Sequence, residues 1–163
     1  MKKRYVSWEQ HTKLVNEILR QMAKDRWTPD IVVGISRGGL LPAKMISQYL
    51  EKPLEIVKIS LRNEGVCESN LALVEDALAL KRILVVDDIN DTGATLNWLK
   101  DDWESQKSFK WKSMWGFSVR VAVLFDNLAS DSQLRVSYHG QEINKIDDPE
   151  WIVFPWEDWW RSN

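Results

Sequence analysis

The sequence has little cysteine, little net charge and no long apolar run. Its one cysteine, Cys67, excludes an internal disulfide and most thiolate metal sites. A net charge of −2 gives no general attraction to nucleic acid or to an anionic membrane. There is no stretch apolar and long enough to cross a bilayer and no charged-then-apolar leader. We therefore expect a cytoplasmic protein with no nucleic-acid or membrane partner.

Two common phosphate-binding motifs are also absent, because neither Gly-x-Gly-x-x-Gly nor Gly-Lys-Thr/Ser occurs. What is present is ordinary for a globular protein, with 44% hydrophobic and 28% charged residues. A length of 163 residues is one domain's worth and can bury a core, so one domain is predicted over residues 1–163. Ten tryptophans are the one unusual feature.

The chain is organised around residues 83–96. Four apolar residues predict a buried strand that ends in two carboxylates, Asp87 and Asp88, and a helix is predicted to begin near Thr92. Free backbone N–H groups at a helix N-terminus, together with the Thr92 and Thr95 hydroxyls, suit a dianionic phosphate. The carboxylates would repel that phosphate and are better matched to hydroxyl groups or a metal-bound water. A phosphate beside a diol describes a ribose 5-phosphate.

Two other interpretations of this stretch were weighed. A calcium loop requires a glutamate six residues past its glycine, and Leu99 stands there instead. An acidic turn with Asp91 or Thr92 as the N-cap is the second alternative. It does not account for two further carboxylates at the end of a buried strand.

A second loop repeats the pattern. Residues 31–35 predict a buried strand, Ser36-Arg37-Gly38-Gly39 follows, and a helix is predicted from Leu40 to about Leu50. In a parallel sheet with right-handed crossovers, both loops meet at the same edge, which suits a ligand with two separated phosphate groups. Arg37 would add a fixed positive charge, although a surface turn that carries an arginine is the alternative.

Residues 85–95 resemble the phosphoribosyl pyrophosphate (PRPP) signature of the type I phosphoribosyltransferases. The resemblance implies an α/β fold with a mainly parallel sheet flanked by helices, a flexible hood loop over residues 61–80 and a C-terminal base-binding segment over residues 133–160. It assigns Asp87 and Asp88 to the ribose hydroxyls and to Mg²⁺, directly or through water. Asp91 becomes the candidate for the residue that holds the proton on purine N7. The 5-phosphate would be held by Asp91, Thr92, Gly93, Ala94 and Thr95.

Two further segments resemble the purine enzymes of that family. Residues 35–42 are similar to their pyrophosphate loop, which implies that Ser36, Arg37 and Gly38 bind pyrophosphate and that a non-proline cis peptide lies at Arg37. Residues 151–157 are similar to the end of the xanthine-guanine and hypoxanthine enzymes. There Trp151 would stack on the purine, the Ile152 backbone would hydrogen-bond to it, and Trp156 and Glu157 would complete the pocket wall. A C-terminal strand that only packs its aromatic side chains is the alternative.

The expected reaction joins hypoxanthine, guanine or xanthine to PRPP with Mg²⁺ and yields a nucleoside monophosphate and pyrophosphate. A homodimer or tetramer is expected from the same resemblance. Two alternatives remain open at this point. The first is a regulator that senses PRPP or a nucleotide without turnover, and the second is a transferase for a pyrimidine such as orotate.

Less defined expectations concern the hood and the base. Residues 61–70 are polar and aperiodic and predict a lid, with Lys58 and Arg62 near the pyrophosphate or simply solvated. Residues 71–80 fit a short helix or a strand pair. The strand predicted over residues 117–125 lacks the lysine that commonly reads O6 in the purine enzymes. Ser118 or a neighbour is expected in its place, with Arg120 the only nearby cation, and weaker discrimination among 6-oxopurines is predicted unless Arg120 substitutes for the lysine. Finally, Asp87 and Asp88 are expected at a solvent-facing strand end.

Overall fold

The computed structural model of the protein describes residues 1–61 and 65–161, so the predicted role of Arg62 lies outside the described residues. The described chain alternates strands and helices, as expected for an α/β protein. Its elements, in chain order, are β1 (Lys2–Tyr5), α1 (Trp8–Asp25), β2 (Ile31–Ser36), α2 (Leu40–Leu50), β3 (Leu54–Lys58), α3 (Leu71–Leu78), β4 (Ile83–Asn90), α4 (Ala94–Glu104), α5 (Trp111–Met114), β5 (Val119–Asn127), β6 (Tyr138–Ile143), β7 (Glu150–Val153) and a 3₁₀ turn (Trp159–Arg161).

Five strands form the main sheet in the order β3-β2-β4-β5-β6, and every neighbouring pair is parallel. Alternate residues of the central strand β4 enter two separate cores. Leu84 and Val86 belong to the core that contains residues of α1 and α2, whereas Ile83 and Val85 belong to the core that contains residues of α3 and α4. A parallel sheet covered on both faces explains why β4 begins as a continuous apolar run.

The remaining elements refine the sequence predictions. Helix α1 begins with a capping box, in which the Ser7 and Gln10 side chains each accept the other's backbone N–H. The segment that fitted either a helix or a strand pair is helix α3 with Asn70 as its N-cap. Strand β5 begins at Val119 rather than at residue 117.

The tryptophans of the middle segment form part of the core. Trp103 and Trp111 are buried, and the Trp115 ring stacks on both of them at centroid distances of 5.7 and 5.5 Å. Residues 111–115 therefore pack against this core, and Trp111–Met114 form one helical turn, α5. Within the described ranges, no helix is long and apolar enough to cross a membrane.

Two details of the sheet position the site. Gly34 of β2 pairs with Val86 of β4, so the loops that follow these strands lie side by side at the carboxyl edge. Strand β1 pairs in parallel with β7 as a separate two-stranded sheet, which holds the segment that contains Trp151 and Ile152.

Candidate active site

The two carboxylates lie within β4, which continues to Asn90 instead of ending at them as predicted, and they are more enclosed than expected. Asp87 is only 8% exposed and Asp88 is half-buried, so the expectation of a solvent-facing strand end is wrong for Asp87. The reason is that β4 stays paired with β5 beyond Asp87, through Ile89 opposite Phe125. Each carboxylate accepts the next residue's backbone N–H, at 2.8 Å for Asp87 and 2.7 Å for Asp88.

Burial also decides the protonation of this pair. Loss of solvent and the neighbouring Asp88 charge raise the pKa of Asp87 well above its usual range. Burial raises the pKa of Asp88 to about 6, against its hydrogen bonds and with a smaller contribution from the Glu157 charge. The protein alone therefore does not stabilise two negative charges here.

The loop after β2 lies directly against these carboxylates. The peptide between Ser36 and Arg37 is cis, as predicted, and the Arg37 side chain is exposed. A β-carbon on Gly38 would overlap the Asp88 carboxylate, and one on Gly39 would overlap the Val86 carbonyl oxygen. Only glycine fits at position 39, where the overlap is with backbone, whereas a side chain at position 38 would require Asp88 to move. The predicted neighbourhood of the two loops is confirmed.

The loop after β4 leads into α4 through Gly93, whose φ of 91° favours glycine. Gly93 is the N-cap, so the alternative in which Asp91 or Thr92 caps the helix is wrong. Among the described residues no side chain caps this helix, although Thr92 Oγ1 accepts the Ala94 N–H at 3.3 Å. Backbone donors of the first turn therefore face a position where an anion is favoured.

The C-terminal segment closes another side of the site. Trp151 is 38% exposed and Ile152 is buried in β7. A turn follows in which Glu157 accepts the Phe154 N–H at 3.2 Å, and the Phe154 and Trp156 rings stack at 4.8 Å. Because the Glu157 charge acts on Asp88, this turn lies close to the paired carboxylates.

Two residues that the sequence analysis missed link these parts. Lys145 Nζ lies 3.0 Å from Asp91 Oδ1 and 5.8 Å from the centroid of the Trp151 ring. The Asn127 side chain donates to the Asp91 carbonyl at 2.8 Å and accepts the Lys145 N–H at 3.1 Å. Asn127 ends a strand parallel to β4, a signal that could have been read from the sequence, whereas Lys145 lies in a connection without any recognisable motif.

The structure contradicts the expected replacement for the base-reading lysine. Arg120 pairs in register with Leu84, and its guanidinium bonds to Asp25 at 3.2 Å and to the Tyr138 hydroxyl at 2.6 Å. The Ser118 carbonyl accepts the Ile83 N–H. Both residues therefore lie at the amino edge of the sheet, opposite the carboxylates. The sequence analysis places the start of β5 at the base. In the structure the end of that strand, at Asn127, lies at the site instead.

The described residues on either side of residues 62–64 are joined by an antiparallel bridge. Ile59 bridges Cys67, and the Ser60 N–H donates to the Val66 carbonyl at 3.0 Å. The Lys58 ammonium lies 3.7 Å from Glu68, which favours the solvated interpretation of that lysine.

The site combines a parallel α/β sheet with two glycine-containing loops and paired carboxylates at the carboxyl edge. This arrangement is typical of proteins that bind phosphorylated ligands. The sequence model of the phosphoribosyl transferase domain matches residues 2–158, and the chain belongs to this family.

Similar proteins include purine enzymes matched over most of their length. Hypoxanthine-guanine phosphoribosyltransferase of Schizosaccharomyces pombe is 27% identical over 166 residues, which span 82% of this chain and 79% of that protein. Xanthine-guanine phosphoribosyltransferase of Idiomarina loihiensis is 26% identical over 158 residues, which span 94% and 86%. The crystal structure of purine phosphoribosyltransferase from Pyrococcus horikoshii has a TM-score of 0.69 at 24% identity and covers 97% of this chain and 96% of that one. This structural likeness confirms the predicted fold.

Proposed function

We propose that this protein transfers the 5-phosphoribosyl group of PRPP to a purine base, giving a nucleoside monophosphate and pyrophosphate. The observation that carries the proposal is the contact of the loop at residues 36–39 with the end of β4, where the buried Asp87 and the half-buried Asp88 precede the turn into α4. The purine enzymes among its relatives, matched over most of the chain, support the base class.

The pyrophosphate and the 5-phosphate of PRPP would each be bound by a different loop. The exposed Arg37 guanidinium, with Ser36 and Gly38, would bind the pyrophosphate as a charge-assisted contact. The uncapped start of α4 would bind the 5-phosphate through residues 91–95. Asp87 and Asp88 would be repelled by both phosphate groups. Their carboxylate oxygens accept hydrogen bonds, so they would bind the hydroxyl donors of the ribose diol instead.

Magnesium fits this donor set. Mg²⁺ is commonly held by one or two carboxylates together with substrate phosphates and water, and Asp87 and Asp88 would supply the two carboxylates. No cluster of three or more metal-ligating side chains occurs in the described chain. The raised pKa of both carboxyls indicates that their ionised forms need such a positive partner. When bound, Mg²⁺ would neutralise charge on the departing pyrophosphate.

The base would be bound between Trp151 and the loop after β4. The exposed Trp151 face can stack on a purine, and the Ile152 backbone would hydrogen-bond to its edge. Asp91 would hold the proton at N7 while the bond to the ribose forms. Glu157 would support this wall, because it closes the turn that carries Trp156. The part of the predicted hood that precedes α3 would exclude water that competes with the base, since α3 itself packs in the core.

A turnover assay with PRPP, Mg²⁺ and each of hypoxanthine, guanine, xanthine, adenine, uracil and orotate tests the proposal. We expect pyrophosphate release with 6-oxopurines. Release with none of the bases, together with PRPP binding in equilibrium dialysis, would favour the regulator, and rapid use of orotate would overturn the purine assignment. A single domain, a dimer or tetramer and a cytoplasmic location remain predictions.

A further inference from the structure

Strand β7 contains two of the residues proposed to bind the base, and within the described ranges its only partner strand is β1. The Val6 N–H donates to the Val153 carbonyl at 2.9 Å, so Val153 directs its backbone groups toward β1. Successive strand residues direct their backbone groups to opposite sides, so the N–H and C=O of Ile152 point away from β1. They lie on the edge of β7 that has no partner strand in the described chain, which is the edge proposed to bind the base.

Arg4 is the residue of β1 that lies in register with Ile152. Its guanidinium donates to Glu150 Oε1 on β7 at 3.3 Å and to Gln141 Oε1 on β6 at 2.7 Å. Its Cζ also lies 5.1 Å from the centroid of the Phe125 ring on β5. Because Phe125 and Gln141 are opposite each other in the main sheet, one side chain joins the small sheet to two strands of the large one.

The Glu150 carboxylate depends on this contact, because the residue is only 5% exposed. A buried carboxylate is costly unless a cation pairs with it. Among the described residues its second cation is Lys2, which lies 3.8 Å away with 64% of its side chain exposed. Such an exposed lysine is a weak partner. The position of Glu150, and therefore of β7, is set mainly by Arg4.

The ring next to Arg4 belongs to the aromatic group that supports the proposed base wall. Phe125 is 1% exposed and packs against Phe154 at a centroid distance of 5.9 Å, and Phe154 stacks on Trp156. A planar guanidinium can donate to two acceptors and lie over a ring at the same time, whereas an ammonium is a point charge on a flexible stem. The three contacts therefore require an arginine.

We propose that Arg4 is a positioning residue for the base, which fixes the unpartnered edge of β7 and with it Trp151 and Ile152. The inference rests on the proposed function, because that function places the base against this strand. Arg4 would act through β7 and not by contact with the substrate. Its removal should therefore weaken binding of the base and leave binding of PRPP unchanged, since the candidate phosphate-binding loops follow β2 and β4.

Steady-state kinetics of Arg4→Met, Arg4→Lys and the wild type test this role. In Arg4→Met, KM for the purine should rise about tenfold or more while KM for PRPP changes less than about threefold. Arg4→Lys should recover part of the loss, because it keeps the charge without the planar fork. Arg20→Met, which breaks an exposed ion pair with Glu17, is the matched control and should change neither constant. An equal rise of both KM values, or a loss confined to kcat, would overturn the positioning role.

A binding measurement separates this inference from the proposed function and from a loss of folding. If Arg4→Met alone unfolds, Arg4→Met combined with Glu150→Gln replaces it, because no buried carboxylate is then left unpaired. Calorimetric titration with inosine 5′-monophosphate and with ribose 5-phosphate does not require turnover. Loss of affinity for the nucleotide alone supports the inference even if no purine is a substrate. Equal losses for both ligands, or an unchanged affinity for the nucleotide, would overturn it.

Discussion

Gly38 lies against the Asp88 carboxylate so closely that a β-carbon on the glycine would overlap both carboxylate oxygens. This contact joins the loop proposed for pyrophosphate to the residues proposed for ribose. Its neighbour Gly39 contacts backbone instead, since a β-carbon there would overlap the Val86 carbonyl and lie 3.0 Å from Asp87 Cα. The two glycines therefore make separable predictions.

Gly38→Ala should impair PRPP use with little loss of stability, because the Asp88 side chain can rotate away from a new methyl group. Gly39→Ala should destabilise the fold by about 1–3 kcal/mol, because overlapping backbone atoms can separate only if the strands shift. Thermal unfolding and KM for PRPP, measured on both variants, check this contrast. A larger loss of melting temperature in Gly38→Ala than in Gly39→Ala would contradict it.

Asp87→Asn combined with Asp88→Asn should reduce turnover at least a hundredfold, because two charge-assisted contacts worth about 1.5–3 kcal/mol each are weakened. The unfolding temperature at neutral pH should rise, since the charged form of a buried carboxylate costs free energy. Asp101→Asn, on the exposed side of α4, is the control. Normal turnover by the double variant would show that the ribose assignment is wrong.

The raised pKa of Asp88 predicts a pH-dependent stability. Its folded-state pKa of about 6 exceeds the usual 3.8, so the folded protein binds more protons between these values. The free energy of unfolding that Asp88 contributes must then fall as pH rises from about 4 to about 6. In urea titrations without ligand and with a chelator, Asp88→Asn should gain stability relative to the wild type across this range and keep a constant advantage above it. A difference that is independent of pH would contradict the shift.

Arg37→Ala should lower kcat/KM for PRPP tenfold or more, since a charged hydrogen bond to pyrophosphate is worth about 1.5–3 kcal/mol. The melting temperature should change little, because the side chain is exposed. Arg20→Ala, which breaks an exposed ion pair with Glu17 on α1, controls for the loss of a surface arginine. Equal kcat/KM in Arg37→Ala and the wild type would return Arg37 to the surface-turn interpretation.

Amide hydrogen exchange can test the prediction that the hood acts as a lid. Peptides that cover residues 65–70 should exchange rapidly without ligand and gain protection with PRPP and Mg²⁺, because closure would bury their backbone. Peptides from β4 serve as the internal reference, since that strand is central and buried. Strong and equal protection of residues 65–70 in both states would exclude a lid.

The local sequence pattern was sufficient for prediction where one short segment contains both the residues that form an element and the residues proposed to bind ligand. The run before Asp87 predicts a strand buried on both faces, and Gly93 with its small neighbours predicts the turn into α4. The rule that parallel strands meet at one edge then brought residues 36–39 beside Asp88. Periodicity and turn chemistry act within a few residues, so the fold class and the positions of both candidate phosphate-binding loops could be predicted from the sequence.

Tertiary structure alone decided the burial of Asp87, the distant location of Arg120 and the approach of Lys145 to Asp91. Each depends on strand register or on a connection between elements far apart in the chain. Arg120 was misplaced because the sequence does not show which end of β5 reaches the site. Lys145 was missed because no motif marks it; its position follows from one Asn127 side chain that joins two loops. A one-dimensional pattern cannot encode such contacts, since the free energy that creates them comes from packing between residues that the chain keeps apart.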